Sequence, residues 1–353
     1  MATAKDIAAI QACLTNPLDP PLPRHERIAG VIGAAPSRYS KSPPLWNAAF
    51  GLTGIDAAYL PFDIEKAKLP EFADVLRSAA SVMGVNVTVP HKVAIMDYLD
   101  ELDSGAGRIR AVNTIVRTQA GRLVGYNTDG AGFVESILKP QPGLTKSFVD
   151  SLNGADVLLL GAGGSARAVA FHVSELLNGG KLVICNRSLD RARALADELC
   201  GDGFHTLTVG EDELQQWAPK VKLIINSTTK GQGGIAWLEP YSALAPAPAT
   251  ESGAANLQAG TTDIAKNNEA SLALASAIPN AVRFYDLIYH PEETVFLRHG
   301  RVTGHETTNG KAMIVCQAAL AFFNYVCNRE LRARGLDRPE TLDRLVKTMS
   351  EAW

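Results

Sequence analysis

DVLLLGAGGSARAVA, residues 156–170, decides how this chain is read. Val157 to Leu160 are four consecutive apolar residues, the pattern of a strand buried on both faces. Gly161, Gly163 and Gly164 break it, and Ser165 to Ala170 resume at helical composition. Strand, tight turn and helix in that order suit a pyrophosphate: the glycines let the backbone turn sharply and come close, and negative charge sits on the free amides of the helix N-terminus. With Ala162, Ser165 and Ala166 completing the turn, the stretch points to a bound dinucleotide. An ordinary strand-to-helix turn is the alternative, because Ala166 stands where the fingerprint usually ends in glycine.

The next apolar run, Lys181 to Cys185, places Asn186, Arg187 and Ser188 at a strand tip. Enzymes that use NAD usually carry an acidic residue there for the ribose hydroxyls. Here Arg187, Arg191 and Arg193 offer forked, permanently charged donors instead, which suits a 2′-phosphate and hence NADP; Asp190 is the one acid nearby. The structural alternative is a surface helix capped by Ser188, with its arginines facing water.

Apolar runs and helical segments alternate onward: strands near His205 to Val209 and at Lys222 to Asn226, a helix near Glu211 to Trp217, and a strand at Ala281 to Leu287. This is the doubly wound α/β, or Rossmann, pattern. Gly231 to Pro279, rich in Gly, Ala, Ser, Thr and Pro, reads as a long loop or an insertion with short helices. From Asn309 a strongly apolar helix follows, and a charged helix runs from about Arg338 to Trp353.

Upstream, residues 1–27 begin with a short helix-like stretch and then, because the prolines of LTNPLDPPLP forbid regular structure, read as an extension and linker. Ile28 to Ile32 is a first strand, followed by a loop bearing Ser40 and Ser42. Ser42 before Pro43 is also a good helix start, whereas no such structural role is evident for Ser40. In GVNVTVPHK, Val85, Val87 and Val89 alternate with Asn86 and Thr88, so apolar groups take one strand face and hydrogen-bonding groups the other; Pro90 ends the strand and Lys92 sits at its mouth. A partly desolvated lysine there can exchange protons, while a solvated loop lysine is the plainer reading. AVNTIV at 111–116 carries Asn113, and GYNTDG at 125–130 carries Asn127 and Asp129, either of which can cap the helix near Gly130. Short polar groups collected at strand ends line a pocket for a polyhydroxylated molecule.

The chain has 353 residues, 46% of them hydrophobic, and a net charge of −3, enough for about two domains and with no basic run for nucleic acid or an anionic membrane. No apolar stretch reaches the length of a membrane span, and the N-terminus lacks the pattern of a secretory signal. Cys13, Cys185, Cys200, Cys316 and Cys327 are odd in number and widely spaced, so neither a disulfide framework nor a zinc site is indicated and a reduced, cytoplasmic setting is expected. Monomer and homodimer both stay open.

In order along the chain, YSKSP, NVTVPHK, AVNTI, GYNTDG, GAGGSARA, CNRS, NSTTKG, YDLIYHP and the helix bearing Gln317 resemble the shikimate dehydrogenase family, from about Ile28 to Tyr325. The resemblance implies a substrate domain built from residues 28–130 and 310–353, an NADP domain over 131–309 with the insertion at about 231–279, and an active site in the cleft between them. It assigns Lys92 and Asp129 to catalysis, and Ser40 and Ser42 to the substrate carboxylate. Asn86, Thr88, Asn113 and Gln317 fall to the ring hydroxyls, with Tyr289 beside the substrate. For the cofactor it adds Asn226, Ser227 and Thr228 as a loop, and Leu287 and Gly310 near the nicotinamide. Shikimate is the implied substrate; quinate or another cyclic hydroxy acid, and a ligand-binding regulator without turnover, are the competing readings. The chain departs from the family at Trp46, usually histidine, and at Ala312, usually glycine.

Overall fold

The computed structural model describes residues 4–18, 25–248 and 257–353. The chain divides into two compact units, Met1–Phe133 together with Ile314–Trp353, and Val134–Met313. Among the described residues each unit is built on a six-stranded sheet.

In the first unit the strands are β1 (Arg27–Gly33), β2 (Ala57–Asp63), β3 (Val82–Val87), β4 (Glu101–Leu102), β5 (Thr114–Arg117) and β6 (Leu123–Tyr126), in the order β2-β1-β3-β5-β6-β4. β1 runs parallel to β2 and β3, and β5 is antiparallel to both β3 and β6. Both faces of β1 and β3 are buried, which is why β1 reads as an apolar run, while β3 carries Asn86 on a face that is also covered. One core gathers Ile28, Ile32, Phe62, Phe72 and Ile95; the other gathers Trp46, Phe50, Tyr59, Phe322, Leu345 and Met349, so the C-terminal helices do return to the first unit.

The segment read as an extension joins the first of these cores. Helix Ala4–Gln11 inserts Ile7 and Ile10, Asp6 accepts from the amide and hydroxyl of Ser81, and Asn16 bonds the backbone of Pro61 and Asp63. Most of its prolines, in 19–24, lie outside the described residues. The alternation expected through Val89 also stops early: β3 ends at Val87, and Val89 is 62% exposed because the chain has already turned toward Pro90.

In the second unit β7 (Val157–Leu160), β8 (Leu182–Cys185), β9 (Thr206–Val209), β10 (Leu223–Asn226), β11 (Arg283–Asp286) and β12 (Thr307–Thr308) are all parallel, ordered β12-β11-β10-β7-β8-β9. This is the dinucleotide-fold order, whose switch point lies between β7 and β10. Register aligns Leu160 with Cys185 and with Asn226, and Asn226 with Asp286. Gly161, Asn186, Ser227 and Leu287 therefore each stand one residue beyond the ends of four adjacent strands, along one edge.

The segment 231–279 corrects the expectation of short helices. Leu257–Ala277 is a single helix of 21 residues, while 249–256 lies outside the described residues. Its buried positions Asn267, Ser271, Leu274 and Ala275 do recur at helical spacing, but the first two are polar and hydrogen-bonded, so the hydrophobic period is invisible. Among the described residues no helix is long and apolar enough to cross a membrane, and no group of three or more His, Cys, Asp or Glu is placed to hold a metal.

Asp286 locks the end of β11 from inside. Fully buried, its carboxylate accepts from Asn226 Nδ2 at 3.0 Å, Ile288 N at 3.0 Å and Thr294 Oγ1 at 2.6 Å. Burial outweighs these bonds and pushes the carboxyl up to about 7. The folded protein thus keeps a proton over a range in which the unfolded chain has lost it, so raising pH favours unfolding there. In denaturant titrations, the stability of wild type relative to Asp286→Asn should fall as pH rises from about 4 to about 7, by up to roughly 1.4 kcal/mol per pH unit, and level off above. A difference that is constant or rises across that window contradicts this.

Candidate active site

Lys92 is fixed from both sides along the chain. His91 is buried and bonds the Ile64 carbonyl through Nε2 at 2.7 Å, and the Lys92 carbonyl accepts from Val112 N at 2.8 Å. Its ammonium donates to Asp129 Oδ2 at 2.7 Å, with the two side chains 18% and 7% exposed. Asp129 begins helix Asp129–Leu138, and it is Asn127 that plays the capping part, its Oδ1 accepting from Asp129 N at 3.0 Å. The carboxylate is left for the ammonium, and its other oxygen accepts from Asn113 Nδ2 at 2.8 Å.

Asn113 is the hub. Its Nδ2 also faces Thr128 Oγ1 at 3.0 Å and Gln317 Oε1 at 3.1 Å, while its Oδ1 accepts from Thr128 N and Thr114 Oγ1, each at 2.9 Å. Gln317 reaches this point because Gly132 lets two helices touch: a Cβ there would lie 2.5 Å from Gln317 Cβ and 2.6 Å from its amide nitrogen. Asn86 joins from β3, donating to Thr114 Oγ1 at 3.0 Å and to the Asn113 carbonyl at 3.2 Å. The Asn86 Oδ1 accepts from Tyr59 Oη at 2.6 Å. Burial raises the Tyr59 phenol well above its usual value, against a smaller opposing pull from its hydrogen bond with Ser42, so the phenol remains a donor.

The structure thus brings Lys92, Asp129, Asn113, Gln317 and Asn86 into one bonded network, linked through Tyr59 to Ser42. Thr88 stands half-buried at the end of β3, its methyl close over Gly33. The two serines exchange the structural parts expected of them. Helix Ser42–Thr53 begins with Ser42 inside it, and Ser40 Oγ accepts from Ser42 N at 3.2 Å, so the hydroxyl that binds the helix start is that of Ser40. Trp46 lies in the core, 1% exposed, stacked on Tyr59 at 4.8 Å and tilted against Phe322, so it bears on the network through the ring that holds Asn86. Ala312 sits in the first turn of helix Lys311–Leu320.

Sequence reasoning missed Tyr59, Thr128 and Gly132. Tyr59 was legible as a hydroxyl in the apolar run AAYLPFD, and Thr128 and Gly132 lie in or beside GYNTDG. Their partners are distant in the chain and leave no local signal.

The second unit carries the other set. Gly161 has φ +108, which disfavours any side chain, and its Cβ would lie 2.6 Å from Ser227 Oγ; Gly163 and Gly164 open onto free space. Helix Gly164–Leu177 starts there with a glycine before it, and Ala166 is fully buried, filling the packing role of the last fingerprint residue. Ala162 and Ser165 are half-buried beside them. Asn186 donates to the Ser188 carbonyl at 2.8 Å, and Ser188 precedes helix Leu189–Gly201 without a side-chain cap bond. Arg187 and Arg191 are exposed, and Arg193 is paired at the surface with Asp190 at 3.3 Å. The loop Asn226–Thr228 is self-bonded, Asn226 Oδ1 accepting from Thr228 N and Oγ1 at 2.9 and 2.8 Å, and Ser227 Oγ donates to the Leu160 carbonyl. Leu287 follows β11, and buried Gly310 donates its amide to Ile288. Tyr289, half-buried, belongs to this second unit, and burial raises its phenol. An open glycine turn at the switch point of a 3-2-1-4-5-6 sheet, with two arginines at the tip of the second strand, fits an NADP-type dinucleotide.

Comparison with known proteins agrees. The family model for the shikimate dehydrogenase substrate binding domain matches residues 31–115, and that for shikimate / quinate 5-dehydrogenase matches residues 143–235. The shikimate dehydrogenase (NADP(+)) of Symbiobacterium thermophilum is 35% identical over 300 residues, spanning 84% of this chain and 87% of that protein. That of Bacillus subtilis is 35% identical over 302 residues, spanning 84% and 90%. Shikimate 5-dehydrogenase from Thermus thermophilus, solved in complex with NADP(H) and shikimate, aligns with a TM-score of 0.65 at 29% identity, covering 92% of this chain and 99% of that one. With such identity sustained over most of both lengths, the chain belongs to the shikimate dehydrogenase family of oxidoreductases.

Proposed function

We propose that the chain is an NADP-dependent shikimate dehydrogenase, interconverting shikimate and 3-dehydroshikimate in the aromatic amino-acid pathway of the cytoplasm, with Lys92 and Asp129 as its catalytic pair. The observation that carries this reading is the 2.7 Å contact between Lys92 Nζ and Asp129 Oδ2, in a network of hydroxyl-binding side chains. Ser40 and Ser42 take the substrate carboxylate, and Asn86, Thr88, Asn113 and Gln317 its ring hydroxyls. Tyr289 is carried with them by the family resemblance alone.

NADP, when bound, supplies the hydride chemistry. Oxidising a ring alcohol also requires its oxygen to lose a proton, and a base within hydrogen-bond reach must take it. Lys92 accepts that proton as a neutral amine and returns it as an ammonium when the ketone is reduced. An ammonium has three hydrogens; aiming one at Asp129 orients the others, and Asn113 keeps Asp129 from turning away by bonding its second oxygen. For the cofactor, Gly161 to Ala166 receive the pyrophosphate, Arg187 and Arg191 the 2′-phosphate beside Asn186 and Ser188, and Asn226 to Thr228, Leu287 and Gly310 the nicotinamide end.

A quinate-preferring enzyme is the second reading, since the family that matches residues 143–235 is described by both substrates. Ser42, in place of a bulkier threonine, leans toward shikimate by resemblance.

Initial rates with shikimate or quinate, each with NADP or NAD, should be highest for shikimate with NADP. A preference for quinate or NAD overturns the corresponding specificity, and silence with all four pairs despite ligand binding moves a regulator to the front. Lys92→Ala should lower kcat by about two to four orders of magnitude with a much smaller change in the KM for shikimate. An undiminished rate removes Lys92 from proton transfer.

A further inference from the structure

The long helix Leu257–Ala277 has a buried asparagine at its centre. Asn267, 4% exposed, directs its amide at one neighbouring segment: Oδ1 accepts from Ser242 N at 2.8 Å, and Nδ2 faces the carbonyls of Ser242 at 3.2 Å, Ala245 at 3.0 Å and Pro246 at 2.8 Å. Ser271, one turn along, donates to Ser242 Oγ at 2.7 Å, and Asn268 donates to the Pro240 carbonyl at 2.9 Å. Side chains of this helix thus fix the path of 240–246 by the Ser242 amide and by the carbonyls of Pro240, Ser242, Ala245 and Pro246.

The far side of the same segment meets the residues read as binding the cofactor. The Ala245 carbonyl also accepts from Lys230 Nζ at 2.9 Å, and Lys230 is paired with Glu211 at 2.5 Å. Three residues after Ala245, the Pro248 carbonyl accepts from Arg187 Nη1 at 3.2 Å. A cavity of about 240 Å³ is lined by Asn186, Arg187, Ser188, Arg191, Glu211 and Lys230 among others. The charge of Lys230 is already matched by Glu211, so it serves to hold the segment, and the uncompensated positive charge along the cavity comes from the arginines.

We infer that Asn267 and Lys230 are positioning residues for cofactor selection: by clamping Ala245 and, through Asn267, Pro246, they place the Pro248 carbonyl two residues on, which orients the Arg187 guanidinium toward the 2′-phosphate. This rests on the reading of Arg187 as a phosphate ligand. An arginine left on a solvated loop loses rotamer entropy at each binding event, whereas one held by a fixed carbonyl is already oriented.

Calorimetric titration of the purified full chain with NADPH and with NADH tests this without any turnover. Asn267→Ala should weaken NADPH roughly five- to thirtyfold and leave NADH within about twofold, the size of one well-placed charged hydrogen bond. In an Arg187→Ala background the same substitution should change NADPH affinity by less than about twofold, since its effect runs through that guanidinium. Lys230→Met combined with Glu211→Gln removes the clamp from its other side and serves if Asn267→Ala does not fold. Equal weakening of NADPH and NADH, or a full additional loss in the Arg187→Ala background, overturns the inference. Arg187→Ala without effect on NADPH over NADH overturns both it and the arginine assignment, whereas absence of shikimate turnover alone bears only on the substrate.

Discussion

A carboxamide taken out of water must find partners for two hydrogens and an oxygen, and leaving any of them bare costs about 1–3 kcal/mol. The protein meets this demand at Asn86 and Asn113 in the first unit, and at Asn226 and Asn267 in the second. Asn86, Asn113 and Asn267 draw most of their partners from segments remote in the chain, whereas Asn226 satisfies its oxygen with Thr228 two residues on and reaches Asp286 with its amide nitrogen. Satisfying the amide and building the site go together: the two hydrogens of Asn113 Nδ2 are shared among acceptors on Asp129, Thr128 and Gln317, which converge on it from two segments far along the chain.

Ionic contacts sort by exposure in the same way. Pairs such as Lys68 with Glu71 or Arg301 with Glu293 stand in solvent, where water and salt screen them and they add little to stability. Lys92 with Asp129 and Lys230 with Glu211 are largely desolvated, and removing one partner of such a pair strands a charge at a cost of about 3–5 kcal/mol. Mutations at either pair therefore carry a stability component beside any functional one, which is why affinity ratios and the split between KM and kcat are more informative than rates alone.

Much of this was legible in the chain itself. The doubly wound unit announced itself because parallel strands buried on both faces read as continuous apolar runs closed by glycines, and the family resemblance holds across the span in which its motifs occur. Legibility failed where long-range hydrogen bonds replaced hydrophobic contacts. The helix Leu257–Ala277 hides behind Asn267 and Ser271, whose polarity is satisfied by the segment around Ser242 and, for Ser271, also by His299. The short helix-like start of the chain was legible as such, but not its place in the core through Ile7 and Ile10, because the prolines that follow read as a linker. Ser40 and Ser42 could be proposed as a pair, yet which hydroxyl met the helix start depended on a shift of the helix boundary by one residue.

The contact between Asn113 and Gln317 spans 204 residues. During synthesis, the segment carrying Lys92, Asn113 and Asp129 leaves the ribosome well before the helix that completes their network, and the entire second unit is made in between. That unit contains all six strands of its own sheet and can close first. The earlier-made half must wait with polar groups and apolar strand faces uncovered, a period of exposure set by translation speed and by how quickly an intervening domain folds.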